Sequence, residues 1–298
     1  MQPIFYDKVY VQPISLISIS RNITLHVLRL DKLHEVISGN KWFKLQLQIN
    51  ACKQTNKTTI ATFGGAYSNH IVATAYACKL EGLQSIGIIR GDEPKQLNHT
   101  LQQAQNLGMQ LLFVSRSDYN DKEILKQKLN QEHWYWVNEG GYAILGADGV
   151  TDIYCWIDKS YTHVACATGT GTMMAGLIKG AAPHQQVIGI TALKGHDSLQ
   201  EEIKHLLTPK ENEKPFTIFN DYHFGGYAKH PKALLDWMNY LYNTYQLPTD
   251  IVYTSKMLYG VFHLIESGYF ADGSKIMAIH SGGLQGNLSL QKGSLVFA

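Results

Sequence analysis

The chain has 298 residues, 45% of them hydrophobic and 17% charged, and a net charge of +2. That length suffices for one large domain or for two lobes that each bury a core. Without a basic stripe, a block of like charges or a long apolar run, the composition speaks against nucleic acid and membrane and points to a small-molecule partner.

The start, Met1-Gln2-Pro3-Ile4-Phe5-Tyr6-Asp7, lacks a basic segment followed by an apolar run, so a cytoplasmic location is expected. Cys52, Cys78, Cys155 and Cys166 form no CxxC pair and sit in apolar periodic segments, which reads as four buried thiols. The thirteen histidines show no HExxH or HxH spacing, so no metal site is expected.

In chain order, Ile23 to Leu30 reads as a strand. Asn40 follows as a helix N-cap, with Trp42, Leu45, Ile49 and Cys52 at helical spacing. Lys41 then lies on a first helical turn, where the dipole disfavours its cation and makes the free amine more available, as imine chemistry requires. Thr58 to Phe63 is a β-rich run that leads through Gly64-Gly65-Ala66-Tyr67-Ser68-Asn69-His70 into a helical pattern. Two glycines before a helix start make a cradle suited to a carboxylate, or a tight polar-capped turn.

Strands at Ser85 to Arg90, Met109 to Val114 and Trp134 to Val137 alternate with helices from about Lys95 to Leu107 and Asp121 to Asn130, the pattern of a parallel sheet with helices on its faces. After Glu139-Gly140-Gly141-Tyr142 a helix is expected over Gly146 to Lys159, with a lobe boundary nearby. Strand Tyr161 to Ala167 then opens into Thr168-Gly169-Thr170-Gly171-Thr172 and the helix Met173 to Lys179. Exposed amides, hydroxyl donors and the helix dipole together suit a phosphate. A dinucleotide is disfavoured, because the next strand, Val187 to Lys194, ends without an acidic residue, and no Walker lysine follows the glycines. Tyr227 and Tyr253 stand at element ends, where an aromatic tip can reach a cleft. The last strand, Lys275 to His280, ends in Ser281-Gly282-Gly283.

A lysine able to form an imine, a carboxylate cradle, a phosphate loop and two tyrosines together describe a site for pyridoxal 5'-phosphate and an amino acid. From about Leu28 to Gly283 the chain resembles the pyridoxal-phosphate family of 1-aminocyclopropane-1-carboxylate deaminase and D-cysteine desulfhydrase. Gly39-Asn40-Lys41 with Lys44-Leu45 is similar to its GGNKxRKL, and Gly64 to His70 to its GGAxSNH. Thr168 to Thr172 with Ala175-Gly176-Leu177 is similar to its phosphate loop, Val252 to Lys256 to its VYTGK, and Ile279 to Gly283 to its IHTGG.

The resemblance implies an α/β, two-lobed tryptophan-synthase-β-like fold (PLP fold type II) with parallel-rich sheets flanked by helices. Residues 46–145 would form a smaller domain inserted into a larger one of residues 1–45 and 146–298. It implies Lys41 as the Schiff-base lysine, Asn69 at the ring hydroxyl, and Gly65, Ser68, Asn69 and His70 around the substrate. Thr168, Gly169, Thr170, Gly171 and Thr172 would hold the phosphate, and Thr254 or Ser281 would face the pyridine nitrogen. Ser68, Tyr253 and Tyr227 would stand beside Lys41 as catalytic groups. A homodimer is expected by analogy.

Phe43 departs from the family's arginine, Ser38 from its first glycine, and Thr254 from the glutamate of the cyclopropane deaminases; Gly226-Tyr227-Ala228 matches only loosely a GYG stretch. A hydroxyl at the ring nitrogen leaves it neutral and the ring a weaker electron sink. The expected reaction is therefore β-elimination from a D-amino acid such as D-cysteine, giving pyruvate, ammonia and sulfide. Cyclopropane deamination, a racemase or other lyase, and a non-catalytic cofactor- or nucleotide-binding protein are the alternatives.

Overall fold

The computed structural model describes residues 2–16 and 22–298. The elements run β1 (Val11–Ile14), β2 (Thr24–Arg29), α1 (Asn40–Gln54), β3 (Thr59–Gly65), α2 (Asn69–Leu80), β4 (Gln84–Arg90), α3 (His99–Asn106), β5 (Met109–Val114), α4 (Lys122–Leu129) and β6 (Trp134–Val137). They continue with α5 (Ile144–Val150), β7 (His163–Thr168), α6 (Thr172–Gly180), β8 (Gln186–Thr191), α7 (Leu199–Lys204), β9 (Phe216–Phe219), α8 (Lys232–Tyr245), α9 (Thr254–Glu266) and β10 (Lys275–His280).

The strands form two sheets, one of six in the order β1-β2-β10-β7-β8-β9 and one of four in the order β5-β4-β3-β6. Every pairing is parallel except that of β1 with β2. The central strands are apolar and buried almost throughout, as strands covered on both faces must be. On one face of the six-stranded sheet, Leu28, Val164, Cys166, Val187 and Ile279 meet Val150 of α5 and Met173, Met174 and Leu177 of α6. On the other, Leu25, Ala165, Ile188, Ile190 and Ile276 meet Met257, Leu258, Val261 and Ile265 of α9. In the smaller sheet, Ile60 and Val137 pack with Leu45, Ile49 and Cys52 of α1 and Ala73 and Ala77 of α2. Phe63, Ile86 and Ile88 pack with Leu125 of α4.

Small residues bring three helices together. A Cβ on Gly149 of α5 would lie 2.1 Å from the Phe43 carbonyl of α1, and one on Gly176 of α6 would lie 2.4 Å from the Ala147 carbonyl of α5. Backbones at that distance admit only glycine, so α1 is seated on α5 and α5 on α6.

Three local readings change. The N-cap of α1 is Gly39, at φ 66, and Asn40 is the first helical residue. The helix expected from Gly146 to Lys159 ends at Val150, and a 3-10 turn spans Thr151–Trp156. Cys155 in that turn is exposed, whereas Cys52, Cys78 and Cys166 are buried free thiols. Among the described residues no helix is long and apolar enough to cross a membrane.

A buried ion network lies under the C-terminal end of β10. Arg29 and Asp31 are both buried and joined by two 2.7 Å hydrogen bonds, and Arg29 also donates to Gln12 Oε1 at 2.6 Å. Burial pushes the Asp31 carboxyl upward, but the neighbouring His280 and the Arg29 bonds outweigh it and hold it below the usual carboxylate range. Its stabilising effect is therefore present above the unfolded value of about 4 and is lost as pH falls through the lower folded value. Arg29→Met leaves Asp31 buried without its two guanidinium bonds, and a loss of about 3–5 kcal/mol is expected in urea unfolding at neutral pH. The variant's loss should shrink in acid, where Asp31 is protonated.

Candidate active site

Three neighbouring strands of the larger sheet, β2, β10 and β7, send the segments after their C-terminal ends to one cavity. A parallel sheet places its ligand there. After β2 comes Ser38-Gly39-Asn40-Lys41, after β10 Ser281-Gly282-Gly283, and after β7 Gly169-Thr170-Gly171. The smaller sheet adds Asn69, the first residue of α2. The cavity encloses about 610 Å3 with its open mouth included.

The first two segments cross in backbone contact. Asn40 N donates to Ser281 O at 3.3 Å and Gly283 N to Ser38 Oγ at 3.3 Å. A Cβ on Gly39 would lie 1.8 Å from Ser281 O, and Gly39, Gly282 and Gly283 all have left-handed φ. This crossing fixes Lys41, whose Nζ donates to Asn40 Oδ1 at 3.2 Å. Desolvation brings the Lys41 ammonium down to about 8, against an opposing effect of the Asp250 charge, so roughly a tenth of it is neutral at pH 7, far more than for an ordinary lysine.

Lys44, one turn further on, is buried and lines the same cavity. Its ammonium has no hydrogen-bond or ion-pair partner among the described residues, and burial, then the charge of Lys41, push it well down. The lining contains these two lysines and no carboxylate. Facing Lys44 are the segment Gly169 to Gly171 and the start of α6, whose first amides have no acceptor within the helix. The Thr168 hydroxyl is buried without a partner, and Thr170 and Thr172 hydroxyls lie 3.0 Å apart. Unpartnered cation, amides and hydroxyl together fit a phosphate dianion.

Tyr253 is the N-cap of α9 and lies against the phosphate-side loop: a Cβ on Gly169 would be 3.2 Å from its ring and 3.4 Å from its hydroxyl. Tyr227 meets it edge-on, with ring centroids 6.3 Å apart. Burial first, then the facing tyrosine and Asp250, keep the Tyr253 hydroxyl protonated well above its ordinary range.

The structure therefore gathers Lys41, Asn69, Thr168, Gly169, Thr170, Gly171, Tyr253 and Ser281 around one cavity, with Tyr227 behind Tyr253 and the buried Thr172 bonded to Thr170. Ser68 is the N-cap of α2, one residue from Asn69, and a Cβ on Gly65 would meet nothing within 4 Å. Open space thus remains beside that turn.

Two residues differ from the sequence reading. The Thr254 hydroxyl donates to Asp250 Oδ1 at 2.6 Å and accepts from Asp250 N at 2.8 Å, inside a fully buried N-terminal turn of α9. It lies outside the cavity lining and leaves Ser281 as the hydroxyl there. His70 turns into the smaller sheet, with Nε2 2.8 Å from Thr62 Oγ1. Because Thr62 gives its one proton to Val137 O at 2.7 Å, it must accept from His70, which places the imidazole proton on Nε2. Burial, then Lys41 and Lys44, hold His70 neutral, and its side chain is not part of the cavity wall.

Sequence reasoning missed Asp250, whose carboxylate accepts from Val252 N, Tyr253 N and Thr254 N at 2.8–2.9 Å and so fixes Tyr253. It also missed Ser38 and Gln285, both in the lining. An aspartate three residues ahead of a helix cap was the available signal for Asp250. Phe43, the departure next to Lys41, points away into the core and packs edge-on against Trp156 at 6.1 Å.

The sequence profile of the family described as "Pyridoxal-phosphate dependent enzyme" matches residues 14–282. A Thermotoga maritima protein provisionally named 1-aminocyclopropane-1-carboxylate deaminase is 28% identical, over 93% of this chain and 94% of its own. The Arabidopsis thaliana mitochondrial bifunctional D-cysteine desulfhydrase/1-aminocyclopropane-1-carboxylate deaminase is 26% identical, over 84% and 70%. Among solved structures, one described as an ACC deaminase homologue superposes with a TM-score of 0.77 at 22% identity, over 94% of this chain and 90% of that one. With that profile spanning most of its length, the shared fold, and a cavity fitted to a phosphate beside a buried lysine, the chain belongs to the pyridoxal-phosphate-dependent enzymes.

Proposed function

We propose that this enzyme eliminates the β-substituent of a small D-amino acid, with D-cysteine the first candidate, and releases pyruvate, ammonia and sulfide. The observation that carries this reading is the polar content of the cavity wall: no carboxylate lines it, and Ser281 presents a hydroxyl at the end of β10. Pyridoxal phosphate supplies a sink for the electron pair left when the α-proton is removed. A ring nitrogen that met the Ser281 hydroxyl rather than a carboxylate would stay neutral and that sink would be weaker, which would suit a substrate whose own leaving group drives the reaction.

The residues divide the work as follows. Lys41 holds the cofactor covalently and, when released, its neutral amine takes the α-proton. Lys44, Gly169, Thr170, Gly171 and Thr172 bind the phosphate, with the Thr168 hydroxyl completing that end. Asn69 meets the ring hydroxyl, and Gly65, Ser68 and the start of α2 receive the substrate carboxylate. Tyr253 and Tyr227, both protonated, can hand a proton to the departing thiolate as the carbon–sulfur bond breaks and its electron pair leaves on sulfur. Water then replaces the nitrogen, which leaves as ammonia, so one water is consumed per pyruvate. Residues 46–145, which contain all four strands of the smaller sheet, are proposed as the inserted lobe, with α1 running unbroken across the boundary.

The names of the curated relatives favour one second reading, opening of 1-aminocyclopropane-1-carboxylate to 2-oxobutanoate. Assay of both substrates separates the two: pyruvate and sulfide from D-cysteine, with 2-oxobutanoate formed at least about a hundredfold more slowly, is the expected result, a gap of nearly 3 kcal/mol. Faster release of 2-oxobutanoate would reverse the assignment.

Lys41→Ala is expected to lack the visible absorbance near roughly 420 nm that a lysine-bound cofactor gives. Borohydride should then fix no cofactor to any peptide, and a fixed cofactor elsewhere would show that another lysine has this role. In the unmutated apoprotein, capture of the cofactor should accelerate as pH rises through about 8 and then level off, not climb to the ordinary lysine value of 10.5. Lys44→Met should weaken cofactor binding roughly ten- to a hundredfold by equilibrium titration, the effect of one charge-assisted contact. Binding of phosphate-free pyridoxal should change far less.

A further inference from the structure

Lys256 has no part in the site as described, yet it is completely buried on the first turn of α9, three residues after Tyr253. A cation is disfavoured there both by the apolar surroundings and by the helix dipole. Burial brings its pKa down to about 8, with Asp250 opposing. Its ammonium makes one hydrogen bond, 2.7 Å to Gly226 O, and forms no ion pair among the described residues. A methionine would fill the same space without the cost of burying a charge, so the bond to Gly226 is what distinguishes the lysine.

The acceptor lies in a segment of strained backbone. Phe224, Gly225, Gly226 and Ala228 have φ of 51°, 92°, 115° and 54°. Left-handed φ at two non-glycine residues persists only where the surroundings enforce it. The other hydrogen bonds of this backbone stay within residues 223–230, and Lys256 reaches it from α9. Tyr227 follows directly on Gly226. One helix thus carries Tyr253 at its cap and, through Lys256, holds the backbone next to Tyr227.

We propose that Lys256 is a positioning residue: its bond to Gly226 O fixes the strained turn that carries Tyr227, and so keeps the Tyr227 ring edge-on to Tyr253 beside the cavity. The proposal rests on the reading of these tyrosines as proton-handling groups, and its test separates the two ideas. In the holoenzyme, Lys256→Met should speed amide hydrogen exchange in residues 224–228 by about tenfold or more while the rest of α9 keeps its protection. With D-cysteine, kcat should fall about ten- to a hundredfold with KM changed less than about threefold. In a Tyr227→Phe background the same substitution should add less than about a twofold loss, because the two residues act as one unit.

Lys256→Gln, which returns a neutral donor one atom short, should recover part of both effects. Recovery no better than with methionine would mean that packing alone matters, and would overturn the proposal. So would unchanged exchange in 224–228, or a full additional loss in the Tyr227→Phe background. Exchange is read without turnover: were D-cysteine not a substrate, faster exchange would still support the clamp and unchanged exchange would still overturn it. If the methionine variant does not fold, Lys256→Leu takes its place with the same expectations.

Discussion

The site depends on a crossing of two backbones. Ser38-Gly39-Asn40 and Ser281-Gly282-Gly283 follow parallel neighbours, β2 and β10, whose register puts Arg29 opposite His280. Their contact leaves no room for a Cβ at Gly39. Because Gly39 is also the N-cap of α1, the crossing sets the start of that helix, and with it the positions of Lys41 and, one turn later, Lys44. The small residues of α5 and α6 then hold α1 from the side. A reactive lysine on a helix seated this way gains its geometry from rigid elements, which position groups better than mobile loops do.

Electrostatics follow from the same arrangement. Two lysines on adjacent turns of one helix face a cavity without a lining carboxylate, so burial raises the cost of charging both, and the Lys41 charge adds to that of Lys44. The nearby Asp250 does not relieve this fully, because its oxygens already accept three backbone amides and the Thr254 hydroxyl. An anion is the natural complement, and the phosphate-side loop supplies donors on the far side of it. The same charges keep His70 neutral without any role for it in the cavity.

Much of this was legible in the chain. β3, β7 and β10 are apolar runs that stop at glycine-rich turns, and both periodicity and turn chemistry are local signals. β1 escaped notice because it is a four-residue edge strand containing Pro13, a residue that edge strands alone tolerate. Thr254 and His70 lie outside the cavity lining for a different reason. Each carries a hydrogen-bonding group next to a site residue, and only three-dimensional placement shows that Asp250 and Thr62 already use those groups. Asn40 is a residue type that suits a cap, whereas the left-handed Gly39 holds that position. Lys44 was visible as a residue but not as a ligand, since nothing in a sequence tells that an ammonium is buried without a partner.

The ion network beneath β10 ties stability to the site. His280 Nε2 lies 2.7 Å from Pro248 O, an acceptor only, so it carries the proton there. In the neutral ring Nδ1 accepts from Gly282 N at 3.3 Å, within the crossing itself; in the doubly protonated ring it faces Asp31 Oδ1, 3.5 Å away, as the charge that lowers that carboxyl. Asp31 is in turn held by Arg29. The glycine turn that meets Lys41 therefore rests on a buried imidazole, and that imidazole on a buried ion pair. A hydrophobic replacement of similar volume could match such a pair in stability, but it would present no polar edge to the imidazole that holds Gly282.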